Sequence, residues 1–176
     1  IFGEVYDANP YLLSTFVHEQ SFPSVLDFGF QRYGLAFART DGQIPRLVDL
    51  FNQDDLYTTS TQSVYGIPTF LGNHDMGRVG YFIHSATYGD DDLTLRRSKL
   101  ANEVLFFSRG APVLYYGDEK GMVGTGGDKA ARQDMFPTGV LEWQDEIRIG
   151  STPIGTKSAF DVVNPLQLQI TEINKL

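Results

Sequence analysis

The sequence contains no cysteine, which excludes disulfide scaffolds, thiolate zinc sites, iron–sulfur clusters and cysteine nucleophiles. The redox compartment stays open, because a chain without thiols folds in any of them. Nowhere do about 18 apolar residues run together, the length that a membrane-crossing helix needs. Basic residues are in deficit: 14 Lys and Arg stand against 22 Asp and Glu, a net charge of −8. Such a surface repels nucleic acid and anionic membranes unless a local basic patch exists. The densest cationic stretch, Arg96-Arg97-Ser98-Lys99, sits just after Asp90-Asp91-Asp92, so neither nucleic acid nor membrane is expected as a partner. No basic leader followed by an apolar core is visible, and the chain opens on Ile1 rather than Met.

What is present is a core. Hydrophobic residues make up 41% of the 176 positions, with 13 Phe, 9 Tyr and 1 Trp. Short apolar runs at Ile1–Tyr6, Ser24–Phe28, Ile67–Leu71 and Ala111–Tyr116 are near-continuous rather than alternating, as in strands buried on both faces of a parallel sheet. Between them lie helical patterns. Pro10–Val17 follows Asn9 as an N-cap with proline at the first helical position. Ile44, Leu47, Val48 and Phe51 recur at helical spacing, as do Leu100, Val104 and Phe107 behind the acidic Asp91-Asp92. A last helix is expected from Asn164-Pro165 through Leu166, Ile170 and Ile173. This strand–helix alternation predicts an α/β fold with a parallel sheet. Because it opens in a strand and closes in a helix, residues 1–176 are expected to be the back part of a larger α/β domain. The glycine-rich stretch 117–155 reads as a long functional loop.

Acidic residues follow each run: Glu4, Asp27, Asn73-His74-Asp75 and Asp118-Glu119. In parallel α/β folds the active site lies at the carboxyl ends of the strands. Clustered carboxylates repel one another, a cost that folds accept mainly where a site uses it. Paired carboxylates with no cysteine and few histidines point to glycosidic-bond chemistry or a hard metal. Competing motifs fail. Gly121–Lys129 lacks the third glycine of G-x-G-x-x-G and the Gly-Lys-Ser/Thr of a P-loop. His18-Glu19 opens like H-E-x-x-H, but position 22 is Phe. No G-x-S-x-G elbow exists. Asp27 and Asp118-Glu119 read as structural supports, Asp90–Asp92 as a solvated helix start, and His18 and His84 as surface or core residues. Tyr115, Tyr116, Phe136 and Trp143 are candidate stacking faces for sugars, with one of the two tyrosines expected in the core.

Three segments carry a family resemblance. Phe70-Leu71-Gly72-Asn73-His74-Asp75 resembles the F-x-x-N-H-D motif of the α-amylase family of glycoside hydrolases. Gly110–Glu119 resembles its G-x-P-x-x-Y-Y-G-x-E segment, and Gly3-Glu4-Val5 its G-E-V motif. Gly127–Pro137 is similar to the loop after strand eight in secreted members. The order agrees across nearly the whole chain. The resemblance implies a (β/α)8 TIM barrel, of which residues 1–176 supply strands 5 to 8 with their helices. It implies Glu4 as general acid/base, Asp75 as the carboxylate that grips sugar hydroxyls in the transition state, and His74 and Arg78 as substrate-binding residues, Arg78 as a charge partner near the site. The family's nucleophile, an aspartate in a segment like G-x-R-x-D, has no counterpart here and is expected upstream of Ile1.

The implied activity is retaining hydrolysis of α-glucans such as starch and malto-oligosaccharides. The alternatives are a transglycosylase or isomerase of the same family, or an inactive barrel used as a binding module. No cofactor is implied for the chemistry; a structural calcium is, with no ligands assignable. Export from the cytoplasm is implied by the family alone. The chain by itself is expected to be inactive, and either to associate with the missing N-terminal half of the barrel or to self-associate through the strand edges at Ile1–Tyr6 and Ala111–Tyr116.

Overall fold

The computed structural model describes residues 1–39 and 44–176. They divide into two compact units, residues 1–71 with 104–113 and residues 72–103 with 114–176. In the first unit, four chain segments are hydrogen-bonded in sequence order. Gly3 N donates to Ser24 O at 2.8 Å and Leu26 N to Gly3 O at 3.0 Å. Asp27 N donates to Pro68 O at 3.0 Å. Ala111 N and Val113 N donate to Ile67 O and Thr69 O at 2.8 and 2.7 Å. Gly3 bridges Val25 in parallel, and β1 (Pro68–Thr69) pairs in parallel with β2 (Ala111–Pro112). Of the four expected strands, those at 67–71 and 111–116 occur as the two-residue β1 and β2, while the runs at 1–6 and 24–28 meet only at the isolated Gly3–Val25 bridge. Among the described residues only β1 and β2 form a ladder. Each contains a proline, which has no N–H to extend it. Ala111, Pro112 and Val113 are all exposed, Val113 by 45%, so this segment is an edge rather than a strand buried on both faces.

The helices of this unit have local causes. α1 (Pro10–His18) starts where Asn9 Oδ1 accepts from Tyr11 N at 3.0 Å, with Pro10 at the first position. α2 (Phe28–Arg39) is absent from the expectations. Asp27 Oδ1 accepts from Phe30 N at 2.7 Å and so caps it, while Gly29 and Gly34 interrupt the apolar signal. Gly34 lies where a Cβ would come within 3.2 Å of the Leu71 side chain, so glycine eases a close contact at a position where a propensity reading counts it against a helix. α3 (Ile44–Phe51) forms as expected, but it buries Leu50 and leaves Ile44 and Val48 exposed. The core gathers Leu13, Val17, Val25, Tyr57, Val64 and Ile67. A row of rings, Tyr6–Phe28–Phe70, continues it at centroid separations of 4.9 and 5.1 Å.

A buried charge cluster ties these segments together. Arg109 donates to Asp27 through Nη1 and to Asp54 Oδ1 through Nε at 2.9 Å. Asp27 is fully buried. The guanidinium lies over the rings of Phe51 and Phe30, 5.1 and 5.7 Å from their centroids. Burial raises the Asp54 pKa against the lowering pull of Arg109, and burial beside Asp27 raises that of Tyr57. Asp27 is thus an anchor, as its sequence context suggests.

In the second unit, α4 (Val79–Ala86) is a further helix the sequence reading missed. It is short, and of its large apolar residues only Val79 and Ile83 are buried. α5 (Asp91–Phe107) begins in this unit at the acidic residues as expected, and its residues from 104 on belong to the first unit; its buried face is Thr94, Ser98, Ala101, Asn102 and Leu105, while Phe107 is exposed. The glycine-rich stretch contains only short turns and α6 (Leu141–Gln144). α7 (Pro165–Ile173) repeats the Asn-Pro start, with Asn164 Oδ1 accepting from Leu166 N at 2.9 Å and its Nδ2 donating to Ile149 O at 2.8 Å. Val123, Ile149 and Leu166 form this unit's small core with Tyr81 and Leu95. No helix among the described residues is long and apolar enough to cross a membrane.

Removing one partner of a buried ion pair costs about 3–5 kcal/mol, because the other charge stays buried. Arg109→Met in the full-length protein is expected to lower the stability of the first unit by that order. Loss of hydrogen-exchange protection at amides 67–71 checks it; unchanged protection would contradict the anchoring role.

Candidate functional site

Asn73, His74 and Asp75 sit on a turn fixed by its own first residue. Asn73 Oδ1 accepts from the backbone N of Asp75 and of Met76 at 3.0 and 2.8 Å. Asn73 and Gly77 exchange N–H···O bonds at 3.2 and 3.1 Å, which closes the loop. An Asn at this position is the usual chemistry of such turns. Gly77 has φ +108°, and a Cβ there would lie 3.0 Å from Gly126 O; both facts require glycine. The backbone is pinned, yet the side chains it carries are half exposed, 50% for His74 and 49% for Asp75. His74 Nε2 lies 3.3 Å from Asp75 Oδ1.

A second segment runs along this turn. Arg132 Nη2 is 3.3 Å from Asp75 Oδ1 and 3.1 Å from Asp128 Oδ1. Asp128 N donates to Asp75 O at 3.2 Å. A Cβ on Gly127 would strike the same carbonyl, so glycine is what allows the two strands of chain to touch. The result is an exposed His–Asp–Arg group in which one carboxylate faces two potential cations. Exposed charges at this separation are screened by solvent, so the grouping orients Asp75 more than it stabilises the fold.

Arg78 is placed differently from its neighbours. It is wholly buried. Its Nε donates to Gln133 Oε1 at 2.7 Å, and its Nη1 donates to Tyr116 O at 2.6 Å and Asp118 Oδ1 at 3.0 Å. The rings of Tyr115 and Tyr116 flank it at 4.7 and 5.0 Å. Gln133 Nε2 continues to Glu146 Oε1 at 2.7 Å, and that oxygen also accepts from Val123 N at 3.0 Å and from Gly124 N. Burial raises the Asp118 pKa to about 7, with Arg78 pulling it back only in part. Burial also pushes the Tyr115 hydroxyl up to about 12, with Tyr116 adding to the shift, and lowers the Arg148 pKa. Glu119 Oε2 accepts from Gly117 N at 2.8 Å, so the Asp118-Glu119 pair supports its loop. Gln133 and Glu146 went unmarked in the sequence; no motif distinguishes a buried glutamine that bridges two charges from any other glutamine.

Glu4 belongs to the first unit and is exposed, one residue beyond the Gly3–Val25 bridge. It therefore follows directly on a parallel pairing, as a residue at the carboxyl end of a strand does. Among the described residues no group of three or more His, Cys, Asp or Glu side chains could hold a metal ion.

Residues 1–151 match the family described as alpha amylase, catalytic domain. An alpha-amylase of Streptomyces lividans is 41% identical over 177 residues, which cover 100% of this chain and 19% of that protein. The crystal structure of an Anoxybacillus alpha-amylase covers 99% of this chain and 32% of its own, with a TM-score of 0.71 at 20% identity. That of the Geobacillus thermoleovorans alpha-amylase, complexed with acarbose, covers 75% of this chain and 28% of its own, with a TM-score of 0.63 at 26% identity. The chain spans about a fifth of the length of the curated relatives it matches.

The Asp118 pKa fixes a pH dependence. Its carboxyl holds a proton in the folded state up to about pH 7, whereas in the unfolded chain it titrates near its ordinary 3.8. Its contribution to stability is therefore full below 3.8, declines as pH rises towards 7 and is gone above that. Asp118→Asn, a neutral isostere, is expected to remove this part of the decline in urea midpoint between pH 5 and pH 8; an unchanged slope would contradict the assignment.

Proposed function

Since the chain belongs to the α-amylase family, we propose that the full-length protein is a retaining glycoside hydrolase of α-glucans such as starch and malto-oligosaccharides. In this reading residues 1–176 are the C-terminal half of the catalytic barrel and supply its strands five to eight. The ordered parallel segments of the first unit support the placement, as does a family match that spans every residue assigned a role. The observation that carries the reading is the His74–Asp75 turn: two polar side chains half exposed on a backbone that Asn73, Gly77 and Gly127 hold fixed.

Hydrolysis with retention needs two carboxyl groups about 5–5.5 Å apart. Glu4 is the acid/base. It donates its proton to the glycosidic oxygen as the C–O bond breaks and the nucleophile closes on the anomeric carbon. It then takes a proton from the water that displaces the nucleophile. The nucleophilic carboxylate comes from outside these 176 residues, so this chain alone is inactive. Asp75 accepts hydrogen bonds from sugar hydroxyls, and these tighten as the ring flattens. Arg132 and His74, each 3.3 Å from its Oδ1, hold its orientation. His74 binds the same sugar directly. Arg78 serves substrate binding through position: it fixes the Tyr115-Tyr116 segment and Gln133. A structural calcium, typical of the family, would take ligands beyond those described here.

Glu4→Gln in the full-length protein is expected to lower starch hydrolysis by about 10²–10⁴, the usual worth of a positioned acid. Asp75→Asn is expected to fall comparably, whereas His74→Ala raises KM more than it lowers kcat. Proton NMR of the first products should give the α-anomer. Near-normal turnover in Glu4→Gln would overturn the role of Glu4. Products longer than the substrate would replace the hydrolase by a transglycosylase.

A further inference from the structure

The segment from Gly124 to Gln133 carries Asp128 and Arg132 to the His74–Asp75 turn. Both of its ends meet one carboxylate that the proposed mechanism does not use. Glu146 Oε1 accepts from Val123 N at 3.0 Å, from Gly124 N, and from Gln133 Nε2 at 2.7 Å. The first two donors open the loop and the third closes it. Its limbs touch at the same place: Gly124 has φ +69°, and a Cβ there would lie 2.5 Å from Ala130 O and 2.9 Å from Gln133 Nε2. Glu146 comes from a segment that is itself paired to the start of the loop. Met122 and Arg148 form an antiparallel bridge, and Ile149 N donates to Gly121 O at 2.8 Å.

A carboxylate suits this place, because an ionised oxygen takes several N–H donors and holds each more strongly than a neutral one does. Both ends of the Gln133 amide are occupied, Nε2 by Glu146 and Oε1 by Arg78 Nε at 2.7 Å, so residue 133 cannot shift without breaking one of them. Arg132 is the residue before it, and its Nη2 lies 3.3 Å from Asp75 Oδ1. Further out on the loop, Asp128 N donates to Asp75 O at 3.2 Å from a backbone with φ +50°. A left-handed conformation in a residue with a side chain persists where the surrounding structure over-determines it. A loop closed at its neck delivers Arg132 to one place; opened there, it would deliver it to many.

We propose that Glu146 is a positioning residue for Asp75: by closing the neck of the loop 124–133, it sets where Asp128 and Arg132 meet that carboxylate. The proposal rests on the reading of Asp75 as the group that grips sugar hydroxyls in the transition state, so loss of Glu146 falls on kcat. In the full-length protein, Glu146→Ala is expected to lower kcat on maltoheptaose by about tenfold or more, towards the roughly 10²-fold cost of a misplacement of about 1 Å, with KM within about twofold. Glu146→Gln keeps an acceptor oxygen and recovers part of the loss. Because the effect passes through Arg132, Glu146→Ala adds little in an Arg132→Ala background, whereas a partly unfolded protein would multiply the two losses. Multiplied losses, or an unchanged kcat, would overturn the proposal. Should Glu146→Ala not fold, Glu146→Asp, which keeps the charge and draws the oxygen back by one methylene, runs the same cycle. Hydrogen exchange separates this claim from the catalytic one: Glu146→Ala is expected to speed exchange at the Asp128 amide as well as at Val123 and Gly124. A protein that hydrolyses no α-glucan yet shows this faster exchange refutes the catalytic reading and keeps the clamp. One that hydrolyses starch, with exchange at Asp128 unchanged in Glu146→Ala, refutes the clamp alone.

Discussion

The second unit depends on one buried guanidinium. Arg78 reaches Asp118 and the carbonyl of Tyr116, two residues apart on one stretch of chain, and the amide of Gln133 on another. No other side chain brings so many donors in one plane, and lysine, a point charge on a flexible stem, could not hold all three. The arrangement is costly to assemble, since both members of the Arg78–Asp118 pair leave water. The burial that pushes the Asp118 pKa upward measures that cost. In return the turn that ends at Arg78 and the segment that ends at Gln133 are tied to one guanidinium, and Asp75 on that turn stays half exposed.

The first unit uses the same device. Arg109 collects Asp27 and Asp54 over two aromatic rings, and Asp27 also caps α2. Burial thus sorts the four acidic clusters that follow the four apolar runs. Asp27 and Asp118 are enclosed against arginines and serve the fold. Glu4 and Asp75 face solvent and carry the proposed chemistry. Both kinds follow the apolar runs, and each unit has a buried arginine–aspartate contact that ties its segments together.

Much of this was legible in the sequence, and the exceptions have physical causes. The order of parallel segments, the Asn-Pro helix starts and the N-H-D turn all follow from local chemistry, and local chemistry is written in adjacent residues. Strand lengths were not legible, because Pro68 and Pro112 sit inside apolar runs that look continuous. α2 was missed because Gly29 and Gly34 count against a helix locally, whereas Gly34 sits close to Leu71, a residue far along the chain. The buried faces of α3 and α5 were misread for a related reason: periodicity identifies the helix, but the packing partner selects which stripe is buried, and α5 buries Thr94, Ser98 and Asn102 instead of Phe107. Of the site, Glu4, His74, Asp75 and Arg78 were marked by motifs, whereas Gln133 and Glu146 act only through partners that folding brings to them.

The central claim is that Glu4 supplies a proton to a leaving sugar oxygen. A fluoride leaving group needs almost no proton, so comparing α-maltosyl fluoride with a malto-oligosaccharide isolates that step. In the full-length protein carrying Glu4→Gln, kcat/KM for the oligosaccharide should fall by orders of magnitude while the fluoride keeps its first-step rate. Equal losses on both substrates would show that residue 4 does not act as the acid, and the account would fail with it.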